Sequence, residues 1–248
     1  MSDRPQHLDF LFEDWPYEFG DVSARIVPGA DGRDVLQLRV EMGVLQMEVT
    51  GRPDGSRPSG YATCSDWLRA KAAEEGDSFA LDERRCVEID REFVQFFHRR
   101  VAWLALREFE RAVADADHTL ALMDFSSLHA PDVDWAEMHE QYRPFVLFHR
   151  TQAAALGTLE RSGAEAAVAE IDAGMQLIRN VLVEDEEAGD VDEDELLAKL
   201  AEMKAAIAEH YDVQSSLTQR LADAIAAEQY ELAAQLRDQL GSRSRRSD

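Results

Sequence analysis

A change of hydrophobic period divides the chain and limits what it can fold into. Between residues 21 and 50, Leu36, Leu38 and Val40 alternate with Gln37 and Arg39, and Leu45, Met47 and Val49 alternate with Gln46 and Glu48. A period of two predicts half-buried antiparallel strands. The link Glu41-Met42-Gly43 predicts a hairpin between them. Val22 to Val27 predicts a third strand, joined through the turn cluster Pro28-Gly29-Ala30-Asp31-Gly32. From about Ser65 onward the spacing becomes helical. Trp67 and Leu68 fall in a first short helix, and a longer one begins near Leu81 and carries Ile89, Phe93, Phe96 and Phe97. Such a stripe is expected to be core. The fold class expected is α+β and mainly α, with a small N-terminal antiparallel β-sheet followed by helices.

Two segments punctuate this pattern. Phe10, Phe12, Trp15, Tyr17 and Phe19 crowd the N-terminus, where Pro16 breaks any long helix. They read as an extended arm that packs its rings on the domain behind it. Residues 51–60 form a Gly/Pro-rich loop with two arginines. It lacks the Gly-Lys-Ser/Thr ending of a phosphate-binding loop, so it reads as a structural turn.

Net charge is −24, from 26 Lys+Arg against 50 Asp+Glu. Such a surface repels phosphate backbones, so direct nucleic-acid binding is not expected. The basic tail Arg243, Arg245 and Arg246 reads as a frayed terminus. Cys64 and Cys86 lie far apart in no metal-type pair, which fits a reducing compartment. No apolar run approaches the roughly 20 residues that span a bilayer, and the N-terminus lacks the pattern of a signal peptide. A cytoplasmic location without membrane contact is therefore expected.

The residues give little sign of catalysis. None of the seven histidines stands in a His-Glu-x-x-His pair, and no Gly-x-Ser-x-Gly context occurs. The acidic run 184–195 alternates Asp190, Asp192 and Asp194 like a calcium loop. A loop starting at Asp190 would need Gly at its sixth position and an acid at its twelfth, and these hold Glu195 and Ala201. No enzyme activity, cofactor or metal is expected, and the run reads as a solvated linker that caps the next helix.

The chain repeats itself at an offset of 55 residues. Leu104, Ala112 and Val113 recur as Leu159, Ala167 and Val168, each set spanning a helix, a short break and a second helix. This resembles the tetratricopeptide repeat (TPR), with Ala112 and Ala167 at the positions of close helix approach, Phe109 at the turn aromatic and Trp103 at a large position. The longer spacing fits an insertion near 125–145. Arg100 departs from the pattern at a position that is usually small, although its counterpart Ala155 conforms.

At the C-terminal end, Leu217, Leu221, Tyr230, Glu231, Ala233, Ala234, Leu236, Arg237 and Asp238 follow one another in a specific order and spacing. Residues 217–240 resemble the UVR motif of the excision-nuclease subunits UvrB and UvrC, of Clp-type protease ATPases and of the activator of a bacterial protein-arginine kinase. Ile225 replaces a frequent alanine there and is expected to keep an apolar contact. Tyr230 is expected to fill the space under the turn, and the small pair Ala233-Ala234 to permit close helix approach. The resemblance implies a helical hairpin that completes its seam against another protein, UVR-bearing or a second copy of the chain. The stretch 43–55 is in addition similar to a family of bacterial proteins that place a small β-region and TPR-like helices before a UVR motif.

The organisation expected is an arm and β-region at 1–60, then a TPR-like domain at 61–183 with an inserted helix or loop. An acidic linker at 184–195 leads to a helical segment at 196–241 with its hairpin at 217–240, and a disordered tail at 242–248. The function expected is a non-enzymatic protein–protein adaptor docking through Leu217, Leu221, Ile225, Tyr230, Glu231, Ala233, Ala234, Leu236, Arg237 and Asp238. The alternatives are an accessory factor of an excision-repair complex, a regulator of a Clp-type protease or arginine-kinase system, and, less favoured, an unrecognised hydrolase.

Overall fold

Alternation becomes a three-stranded meander in the computed structural model, which describes residues 7–184, 191–211, 221, 224–226 and 229–244. Strands β1 (Ala24–Pro28), β2 (Asp34–Val40) and β3 (Gly43–Glu48) pair antiparallel in the order β1-β2-β3. Leu36 pairs with Ile26 and Met47, and Leu38 with Ala24 and Leu45. The apolar members therefore share one face, which packs on Ala102, Trp103 and Ala112 of the helices that follow. Val40 and Gly43 form the closing pair. The turn is thus Glu41-Met42, one residue shorter than the link read from sequence.

The other face of the sheet sets Val27 and the buried Val35 beside Arg25, Gln37 and Arg39, and it carries the N-terminal arm. The arm is helical over α1 (Asp9–Asp14), where the sequence suggested extended chain, and α1 stops just before Pro16. Trp15 lies 4.2 Å from the Arg25 guanidinium, and Phe12 lies 4.5 Å from that of Arg39. Arg39 Nε also donates to the Trp15 carbonyl at 2.9 Å. Cation–π contact thus fastens these rings to strand arginines, whereas Phe19 stays in solvent.

Among the described residues eight α-helices precede the C-terminal segment, and the seven after α1 build the rest. They are α2 (Cys64–Glu75), α3 (Glu83–Ala105), α4 (Phe109–His129), α5 (Val133–Glu140), α6 (Arg143–Ser162), α7 (Ala164–Glu184) and α8 (Val191–His210). Pairs across the row show antiparallel neighbours: Arg150 to Asp117 and Arg161 to Glu110 join α6 to α4, and Lys204 to Asp172 joins α8 to α7. The break between α3 and α4 contains Arg107 in left-handed backbone (φ 60°), and Gly163 (φ 92°) separates α6 from α7. Ala112 and Ala167, just beyond these breaks, are fully buried. Their methyl groups allow the close helix contacts that a larger side chain would block.

Backbone proximity is tightest between α6 and α7. A Cβ on Gly174 would lie 2.0 Å from Thr151 Oγ1, so glycine is required there. Helix α8, which sequence reading grouped with the C-terminal hairpin, instead closes the main core: Leu200 and Ile207 pack with Ile171 and Ile178 of α7. The acidic run is likewise helical from Val191 onward.

Polar braces hold the sheet and loop to α3. Arg99 makes a bidentate pair with Asp115 (2.8 and 2.7 Å) and also donates to the carbonyls of Glu48 and Gly51. Arg52, from the Gly/Pro-rich loop, is buried and donates to Glu88 at 2.5 Å and Gln95 at 3.2 Å. The loop is a brace, consistent with its reading as a structural turn.

Candidate protein-interaction site

The C-terminal site begins with a helix-ending bond. Residues 224–226 are helical, and Gln229 N–H donates to the Ala224 carbonyl at 2.8 Å. This six-to-one closure caps a helix that is turning back. The Gln229 carbonyl then accepts from Ala233 N–H at 2.9 Å, opening α9 (Tyr230–Ser244). Glu231 sits in the first turn of α9, where a negative charge favours the helix dipole. Helix α9 runs through Ser244, into the segment 242–248 that was expected from sequence to be a disordered tail.

The two helical pieces meet through a narrow seam. Ala224, Ala233 and Leu236 are buried together, with Leu221 packed against them. All four belong to the hairpin itself. Ala233 and Leu236 lie three residues apart on one face of α9. Ala234 is turned away and exposed, so only one member of the small pair serves the close approach.

Among the described residues three large apolar side chains lie outside the seam: Ile225 (55% exposed), Tyr230 (69%) and Leu232 (39%). This corrects two expectations. Tyr230 does not fill the space under the turn, and Ile225 is more than half exposed and takes no part in the seam formed by the described residues. Glu231 and Arg237 are also at the surface. Leu217 and the Asp238 side chain lie outside what the structure describes.

Residues 212–242 match the family model described as the UvrB/uvrC motif. The UVR motif thus covers the segment in which the sequence resemblance was read, and the hairpin just described is its visible part. No match to the chain was found among curated proteins or among solved structures. No helix among the described residues is long and apolar enough to cross a membrane.

The buried polar chemistry elsewhere is structural in geometry. Glu92 is fully buried and accepts from Cys64 N–H (2.6 Å), Ser65 N–H (3.0 Å) and His118 Nε2 (2.9 Å), capping the start of α2. Burial, reinforced by the Glu92 charge, pushes the Cys64 thiol up to about 12. That thiol stays protonated and is a poor nucleophile at neutral pH. His98 and His149 do not bond each other: His98 Nδ1 donates to the Val94 carbonyl, and His149 Nδ1 meets Arg100. Among the described residues no three His, Cys, Asp or Glu side chains are grouped to hold a metal ion.

Proposed function

We propose that this chain is a cytoplasmic adaptor whose UVR hairpin docks on the matching hairpin of a second copy or of another UVR-bearing protein. One observation carries the reading. Among its described residues the hairpin buries one leucine and two alanines internally while leaving Ile225, Tyr230 and Leu232 in solvent. A hairpin with so small a seam gains stability by adding apolar contact from outside. Large aromatic and aliphatic side chains are the residues that dominate such contacts.

The remaining helices supply a second, TPR-like surface in this reading. Support comes from the 55-residue sequence repeat and from the matched helix breaks after α3 and α6. Catalysis has no part in it.

The test uses the exposed positions, which leave the seam intact. Ala234→Glu and Tyr230→Ala are each expected to weaken self-association or partner capture tenfold or more, the scale of losing one central contact. Sedimentation of the purified chain and affinity purification with and without residues 213–248 would measure this. Identical association in both variants, with the hairpin still helical, would sink the docking role.

A further inference from the structure

The first helix pair carries a charge where the second carries a methyl group. At the repeat offset Arg100 corresponds to Ala155, and the two are 1% and 0% exposed. A guanidinium withdrawn from water is costly unless a counter-charge meets it. None does among the described residues. Arg100 Nε donates to His149 Nδ1 at 3.3 Å, and Nη1 donates to Thr119 Oγ1 at 3.2 Å. Asp115, whose field reaches Arg100, is already bound at both oxygens by Arg99.

The contact with Arg100 fixes the state of the His149 ring. An arginine N–H can only donate, so Nδ1 must accept, and the proton of the neutral imidazole sits on Nε2. Burial and the Arg100 charge keep the ring neutral, holding its pKa down at about 4. Nε2 has no hydrogen-bond partner among the described residues. The ring is flanked by Phe145 at 4.3 Å and by Phe97, nearly parallel, at 6.4 Å. Val94 and Phe97 of α3 and Tyr142 near the start of α6 extend this strip as exposed apolar surface.

We propose that His149, backed by Arg100, is a carboxylate-binding site at the seam between α3 and α6, taking an acidic peptide segment of a partner protein. The site offers a neutral N–H with an unneutralised cation behind the ring, and a carboxylate accepts from the first while its charge lies in the field of the second. The apolar strip on either side suits a peptide, which brings neighbouring side chains along with its acid. The net charge of the chain opposes any acidic ligand at long range. A preference for acid therefore has to arise locally. This site is separate from the UVR hairpin and stands whether or not the hairpin docks.

The experiment titrates the full chain, with isotope-labelled histidine, against the capped peptide Ala-Leu-Glu-Leu-Ala and its Gln counterpart at physiological salt. The Glu peptide is expected to shift the His149 Nε2–H signal and to bind about tenfold or more tighter than the Gln peptide. Arg100→Met should abolish that preference while Tm stays level or rises, because an uncompensated buried charge has been removed. Equal binding of the two peptides would overturn the proposal. So would a preference that survives Arg100→Met, or a large fall in Tm that marks Arg100 as a structural strut.

Discussion

Glu92 shows what burial demands of a charged side chain. Its two oxygens accept two backbone N–H groups and one imidazole, and Arg52 lies 3.8 Å away. Removing it orphans all of them, so Glu92→Ala is expected to destabilise the fold by about 3–5 kcal/mol in urea unfolding. Sequence reading had no access to this brace, because Cys64, Glu92 and His118 come together only through the packing of α2, α3 and α4. A different test applies to His149. Burial and Arg100 lower its pKa from 6.5 to about 4 in the folded chain. The unfolded chain therefore takes up the proton first as pH falls. Stability present above pH 6.5 is lost progressively down to about pH 4, by about 3 kcal/mol in all. Thermal melts of the native chain and of His149→Phe should diverge across that window, and parallel curves would show that the ring is not held neutral. The anomaly at Arg100 was visible in the repeat as a large residue at a small position, but its missing counter-charge was not.

Elements were legible where a period was long and regular. The alternation around Leu36 and Leu38 yields β2, and the Ile89 to Phe96 spacing yields α3. Phe97 was read as core with its neighbours, yet it lies at the edge of the buried stripe and reaches the surface. Helix α1 was missed because six residues carry too little pattern. On α9, a closer reading of the spacing from Ala233 to Leu236 could have singled out Ala233 as the seam residue. Ala233→Glu should therefore unravel the hairpin, seen as lost amide protection in residues 229–237, without lowering the Tm of the helical body. At the α6–α7 crossing, Gly174→Ala places a methyl group against Thr151. It should cost about 2–3 kcal/mol and be partly rescued by Thr151→Ala, which removes the opposing hydroxyl and methyl group.

At the scale of the whole molecule, charge opposes self-association. Two chains of −24 repel, so pairing through the hairpin should tighten as salt rises from 0.05 to 0.5 M. A sedimentation series would show weakening instead if the contact were an ion-pair interface. The anchoring of α8 also carries a consequence for reach. Leu200 and Ile207 nail this helix to the body, and Tyr211 N–H bonds the Ile207 carbonyl at its end. The ten peptide steps from Tyr211 to Leu221 cannot exceed about 35 Å even at full stretch. Anything gripped by the hairpin is consequently kept within a few nanometres of the end of α8. At that range a covalent tie raises the effective concentration of a second binding element on the body to the millimolar scale. Two individually weak grips on one partner would then add up to durable capture.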